Sequence, residues 1–372
     1  MRFEMEVLVV DDASTDSTAD LVASYSHVRY LRLPERRGVS QARNAGIAAS
    51  TGRYIAFLDD DDLWLPNKLV LQVPALEAHP DAGMAYSQFI ISSDGTQYVF
   101  PEPTAPSGSI FHHLLFINLC GIPAGPLLRR EALDRVGVFN TTLPTSEDHD
   151  LWLRVAFQFP VLFVPGVVAV YRRSPTGHWS TALLNDSDAQ ARRLVLERAL
   201  AKLPETEESE SIKRQARATL ELSVAEDLAL LANAPSAWPY LRSALQMWPG
   251  IALRPETRPS VALIAGRYAA ASPSPLAAAK QLWGEISGLL GESGTRERSR
   301  PRQMLAAIHW EAGIAQGKGI GCPANVGSAV QAVARSLWYS PFEPSRWAAL
   351  LRFLFRSAAG RARSRLPHAR EV

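Results

Sequence analysis

Cysteine is almost missing from this chain: two in 372 residues, Cys120 and Cys322. Their separation fits neither the disulfide framework of a small secreted domain nor the spacing of a metal-ligand set, which predicts a reducing compartment, with the cytosol as the default. Net charge is nearly absent as well. The 39 Lys and Arg against 37 Asp and Glu leave +2, which excludes the basic footprint of a dedicated nucleic-acid binder, so no nucleic-acid partner is expected. Long apolar runs are also wanting. The most hydrophobic stretch, 110–128, is interrupted by His112, His113, Asn118, Pro123 and Pro126, too broken for a membrane span, and no signal pattern is read at the N-terminus. What the sequence does have is a hydrophobic content of 47%, enough at this length for a real core and for two domains.

From Met1 to about Ser180, short β-branched runs alternate with amphipathic segments, the pattern of an α/β sheet. Beyond that point strands vanish. Residues 189–203, 211–232, 238–248, 276–290, 304–315, 326–338 and 346–355 are Ala- and Leu-rich with helical periodicity, which predicts an all-helical second domain. The expected division is therefore 1–185 and 186–372, with a charged linker at 291–302 and a solvated acidic loop at 205–210. Two of the helices end alike, in 242–249 and 335–341, which suggests tetratricopeptide-like helix pairs.

The chemistry concentrates at two strand ends. Val7 to Val10 and Ile55 to Leu58 are apolar on both faces, as parallel strands between helix layers must be, and each runs into carboxylates: Asp11 and Asp12 in one case, Asp59, Asp60, Asp61 and Asp62 in the other. Ligands of such sheets collect at the carboxyl ends of the strands. Helix capping accounts for Ser14, Asp16 or Ser17 but not for two carboxylates placed before them. Four adjacent carboxylates repel one another unless a cation offsets them, and hard ions such as Mn²⁺ or Mg²⁺ take such oxygen donors while leaving positions for substrate phosphates. Between the clusters, Arg43 enters early on a helix begun by Gly38. It suits either a phosphate or a structural ion pair with the acids. Further on, Ser146 reads as an N-cap, and Glu147, Asp148 and Asp150 fall in the first helical turn, where the helix dipole alone would stabilise them.

Taken together, Val9-Val10-Asp11-Asp12-Ala13-Ser14-Thr15-Asp16, Ala42-Arg43-Asn44-Ala45-Gly46, Phe57-Leu58-Asp59-Asp60-Asp61-Asp62 with Trp64, Pro66 and Lys68, and Glu147-Asp148-His149-Asp150-Leu151-Trp152 resemble family 2 glycosyltransferases of the GT-A fold, over about residues 6–180. The resemblance implies an α/β GT-A sandwich with a mostly parallel sheet, followed by the helical domain. It implies inverting transfer from a nucleotide-diphospho-sugar, a UDP-sugar first among them, to a glycan or lipid-linked acceptor. Asp148 would be the catalytic base and Asp61 with Asp59 the metal-linked DxD pair, holding Mn²⁺ or Mg²⁺. Asp11, Asp12, Arg43, Asp59, Asp60, Glu147 and His178 would line the nucleotide-sugar site.

Two departures accompany the match. Family members begin with a further buried strand ending in a Pro-x-Tyr-Asn segment, which this sequence does not show before Val7; its neighbours would then have bare edges. Where relatives place a His soon after the Tyr-Arg pair, Ser174 follows Tyr171, Arg172 and Arg173, and His178 comes four residues later. The rival expectation is a non-catalytic scaffold, a degenerate transferase whose helical repeats bind a partner. The basic C-terminal helix, 346–356 with Arg361, Arg363, Arg365 and Arg370 beyond it, allows peripheral contact with the inner face of a membrane.

Overall fold

A computed structural model describes residues 4–93, 96–174, 176–231, 234–254, 257–272, 275–290 and 308. They form two units that part after Ser209, where the sequence reading placed the division at 185/186. Of the three expected helices beyond residue 303, only residue 308 is among the described residues.

In the first unit, β1 (Val7–Asp11), α1 (Thr18–Ala23) and β2 (Val28–Arg32) make a β-α-β crossover with parallel pairing. The next segment, α2 (Val39–Ala49), packs on β1, and Gly46 lets the helix approach Val10: a β-carbon there would lie 3.3 Å from its Cγ2. Then follow β3 (Tyr54–Ile55), β4 (Leu63–Trp64), α3 (Lys68–Ala78), β5 (Met84–Ser93), β6 (Thr96–Phe100), α4 (Phe111–Leu114), β7 (Leu127–Arg129), α5 (Arg130–Val136), α6 (Glu147–Gln158), β8 (Val161–Arg172), α7 (His178–Leu184) and α8 (Ser187–Leu200). Strands β3-β7-β5-β8-β4 form one sheet, with β6 on β5, and β1-β2 form a second. Pairing is parallel at β1-β2 and β5-β8 and antiparallel at the other four ladders, so the sheet system is mixed. Among the described residues β1 pairs only with β2 and β3 only with β7.

The long β5-β8 ladder is the spine. Its register shifts between Tyr86 and Phe89, and opposite that shift Gly166 adopts φ 133°, where a β-carbon would come within 2.8 Å of Leu71 Cδ1. Glycine therefore lets β8 bend against α3. Leu76, Ala82, Ala85 and Leu127 close the core on one side, and Phe89, Ile91, Ala124, Val168 and Ala169 form a second cluster with Trp64 and Tyr171 packed on it. The apolar stretch 110–128 is α4, a loop and the start of β7. Among the described residues no helix is long and apolar enough to cross a membrane.

The second unit holds most of α9 (Glu207–Leu230), then α10 (Ala234–Met247), α11 (Arg258–Ala270) and α12 (Pro275–Leu290). The acidic run expected as a loop instead enters α9 from Glu207. Glutamates in a first turn complement the dipole, and Thr206 Oγ1 accepts the Ser209 N–H at 3.1 Å. The sequence reading missed α11, whose flanks are proline-rich. Trp238 of α10 stacks on Tyr268 of α11 at 5.3 Å, and Arg242 pairs with Glu285 of α12 at 3.3 Å.

Candidate functional site

The end of β1 is built around one buried carboxylate. Asp11 is 3% exposed; its Oδ1 accepts the Ser14 N–H at 2.7 Å, and its Oδ2 accepts the Tyr30 hydroxyl and, at 2.6 Å, Arg32 Nη1. Ala13 makes the turn possible by taking φ 60°, a left-handed conformation that costs a non-glycine residue free energy. The Ser14 hydroxyl, then that of Tyr30, hold the Asp11 carboxyl down at about 2. Tyr30 and Arg32 escaped the sequence reading. The signal was their alternation on β2, whose parallel register with β1 sets Arg32 opposite Asp11 and Tyr30 opposite Val9. Asp12 turns the other way, accepting the Arg37 and Gly38 N–H groups at 2.7 and 2.8 Å. It fastens the loop from which α2 starts.

Arg43 is the hub of the second cluster. Its side chain is 9% exposed; Nη1 donates to Glu147 Oε1 at 2.6 Å, and Nη2 donates to both Asp59 oxygens at 2.7 and 2.8 Å. Phe139 lies under the guanidinium at 5.3 Å. Thus α2, the acidic loop after β3 and the first turn of α6 meet at one side chain.

The four aspartates diverge. Asp59 is committed to Arg43, and Asp60 is exposed. Asp62 is 5% exposed, accepts the Arg172 N–H at 3.2 Å, and is pushed up to about 7 by burial, then by the negative charges of Asp59 and Asp61. Asp61 is exposed, and burial of its carboxyl followed by Asp59 and Asp60 raises its pKa. Its backbone oxygen accepts Arg172 Nε, and its carboxylate accepts from its own backbone N–H. Among the described residues no group of three or more His, Cys, Asp or Glu is arranged to hold a metal alone. What the loop offers is one hard oxygen donor at Asp61, with Asp60 exposed beside it. That suits a cation completing its shell with substrate phosphates better than a resident one.

The first turn of α6 carries Glu147, Asp148 and Asp150. Ser146 does occupy the N-cap position, but with φ 60° and no side-chain cap. Asp148 is half-buried, and its Oδ1 accepts the His149 N–H at 2.6 Å. Desolvation, then the Glu147 charge, push its carboxyl up to about 7. Its neighbours are structural in their contacts. Burial lowers the His149 imidazole to about 4, so it is neutral at pH 7, with Nε2 at 2.8 Å from Leu114 O. Asp150 pairs with Arg154 at 2.8 Å, and the fully buried Trp152 donates Nε1–H to Gly121 O at 3.1 Å.

Other singled-out residues have different work. His178 Nε2 lies 3.0 Å from Pro144 O, on the segment entering α6, and no described contact joins it to Asp59–Asp62. Arg129 is buried and donates to the carbonyls of Leu76, Ala82 and His79; Arg130 donates to Gly52 O and Ser50 Oγ. Both latch loops. Lys68, 1% exposed, donates to Gln72 Oε1, Gly125 O and Pro126 O, and burial drives its pKa far down. It ties the segment following the acidic loop to the loop that receives Trp152.

Residues 2–137 match the family model described as Glycosyl transferase family 2. The chain is 31% identical over 156 residues to the UDP-Glc:alpha-D-GlcNAc-diphosphoundecaprenol beta-1,3-glucosyltransferase WfaP of Escherichia coli, covering 41% of this chain and 58% of that one. It is 32% identical over 152 residues to WfgD of the same species, which carries the same description, covering 40% and 57%. The chain therefore spans less than two thirds of either relative. Among solved structures, the mannosyltransferase PcManGT of Pyrobaculum calidifontis, in complex with GDP-Man and Mn²⁺, aligns with a TM-score of 0.45 at 21% identity, over 82% of this chain and 77% of that one.

Proposed function

We propose, from the match of residues 2–137 to glycosyltransferase family 2, that the chain is a GT-A transferase that moves a sugar from a UDP-sugar to a hydroxyl of a glycan or lipid-linked acceptor, with inversion. One observation carries this reading: Arg43 holds Asp59 and Glu147 at 2.6–2.8 Å, so the acidic loop and the turn bearing Asp148 meet at one side chain.

Each residue then has a task. Asp11, ionised at any working pH, accepts from the donor's base or ribose, and Tyr30 and Arg32 fix its orientation. Asp12 shapes the α2 entrance. Asp61 would hold a divalent cation, Mn²⁺ or Mg²⁺, with Asp60 beside it. Bound there, the ion would neutralise charge on the departing diphosphate. Asp148 has Oδ1 engaged by His149 N–H, which leaves Oδ2 to accept the proton of the attacking hydroxyl. A base with a pKa near 7 is matched to that step, because it is largely ionised yet still basic. Attack opposite the leaving group in a single displacement inverts the anomeric centre. The names of the E. coli relatives point to a diphosphoundecaprenol-linked acceptor as the first to try, which would place the protein at the cytoplasmic face of a membrane. The expected basic C-terminal helix that would rest there lies outside the described residues. The 210–290 helices are proposed to serve the acceptor or a partner rather than the chemistry.

Calorimetric titration of UDP into the full chain, with and without Mn²⁺, tests the reading, with GDP and dTDP as comparators. Metal-dependent UDP binding that Asp61→Ala abolishes is the expected result. A folded chain that binds none of the three nucleotides overturns it.

A further inference from the structure

Arg43 looks at first like a phosphate ligand, because it lies early on a helix entered through Gly38. Its geometry assigns it elsewhere. The guanidinium is buried, its Nη1 and Nη2 are both spent on carboxylates, and those carboxylates come from two separate elements, the loop after β3 and the first turn of α6. The plane is fixed from beneath by Phe139, which packs edge-on against Phe57 at 5.0 Å and Trp152 at 6.4 Å. The next residue on α2, Asn44, grips the Phe139 backbone at both ends, donating to its carbonyl at 2.9 Å and accepting its N–H at 3.0 Å. A helix, a ring and a fork are thus aligned to hold one geometry. We propose that Arg43 is a positioning residue, a two-way clamp that ties the acidic loop at Asp59 to α6 at Glu147 and thereby couples the donor side of the site to Asp148.

This rests on the transferase reading for its consequence but not for its test. The groups facing Asp148 are Glu147 and the His149 N–H on α6, Arg43 from α2, Asp59 from the acidic loop, and the buried Cys120 thiol from the loop before β7. Arg43 is the only cation among these five groups, set against Glu147 and Asp59. The two limbs of the fork together hold the acidic loop to the turn that carries Asp148. Lysine cannot reproduce this, because an ammonium is a point charge without a planar fork.

The test is a pH titration of the Asp148 carboxyl in the full chain by NMR, with ¹³Cγ-labelled aspartate and the signal assigned by Asp148→Asn. Glu147→Gln should move its midpoint down and Arg43→Gln should move it up, each by at least about half a pH unit, as expected for a nearby charge. Arg43→Lys should titrate near wild type and bind UDP as wild type does, while turnover falls about 100-fold from lost alignment. Equal midpoints in wild type, Glu147→Gln and Arg43→Gln, or shifts of one sign, would overturn the clamp. So would loss of UDP binding in a folded Arg43→Lys, which would make Arg43 a donor ligand. If Arg43→Gln does not fold, Glu147→Gln and Arg43→Lys still decide. Opposite shifts without any transfer would refute the transferase reading and leave the clamp standing; transfer with unmoved midpoints would do the reverse.

Discussion

Replacing Gly121 by alanine should be among the costliest small changes available in the first unit, and the cost can be built from three contacts. Gly121 has φ 61°, which an alanine adopts at a penalty of about 1 kcal/mol. Its new β-carbon would lie 2.3 Å from Phe89 Cζ and 2.4 Å from Cε1. The Phe89 ring is 2% exposed and edge-on to Phe100 at 5.6 Å, so it cannot swing aside freely, and overpacking of this kind costs about 1–3 kcal/mol. The loop cannot simply recoil either, because Gly121 O receives the Trp152 indole N–H, a bond whose loss costs roughly 1 kcal/mol more. The expected destabilisation is about 3–5 kcal/mol. Urea unfolding followed by Trp fluorescence measures it, with the second unit's transition as an internal reference, since two units need not unfold as one. The control is a double-mutant cycle with Phe89→Ala: if the ring is the obstacle, adding the methyl in that background should cost at least about 1 kcal/mol less. A Gly121→Ala chain that unfolds with wild type, or a cost unchanged by Phe89→Ala, would refute the steric account.

Other outcomes follow from the site. Turnover should fall about tenfold from pH 8 to pH 6, because a base titrating near 7 loses its ionised fraction over that range; a flat profile down to pH 5 would remove Asp148 from the role. The same raised carboxyl has a stability signature. Its folded pKa exceeds the unfolded one, so stability is lost as pH rises from about 4 through 7, and Asp148→Asn should melt above wild type at pH 8 with the difference closing by pH 4. Asp11 has the opposite sign: its stabilising contribution is present above the unfolded carboxylate pKa and lost as pH falls through about 2, so UDP affinity should stay level between pH 5 and 8 on its account, whereas Asp11→Asn lowers it. Asp61→Ala should reduce Mn²⁺-dependent UDP affinity more than about tenfold while leaving the melting temperature nearly unchanged, since the side chain is exposed and ties down no other element.

The strand ends were legible because their signal is local. A run such as Val7 to Val10 stopping at Asp11 declares the edge at which it ends, and the structure keeps that edge with the four valine and leucine side chains half-buried. The run Ile55 to Leu58, expected as a second buried parallel strand, is instead paired only at Tyr54–Ile55, antiparallel to β7, with Leu58 49% exposed. The pairing of strands was less so. β5 and β8 carry 10 and 12 residues, yet that they lie side by side in parallel depends on the apolar faces that α3 covers on both, information spread over some 80 positions. The four-aspartate run shows the same limit more sharply. As a string its members are equivalent; in space, one is taken by Arg43, one is buried against the Arg172 backbone and two face outward. Alternation would have separated them had the segment stayed in a strand, but ladder pairing stops after Ile55 and resumes only at Leu63. The bend between is where identical side chains acquire different partners. A long-range salt bridge such as Arg43 to Glu147, 104 residues apart, leaves no periodic trace at all, because both ends are compatible with purely local roles: an arginine on a helix face and an acid in a first turn. Reading it requires the fold that brings α2 and the first turn of α6 together, and that placement is what lets one arginine join two elements whose own signals are local.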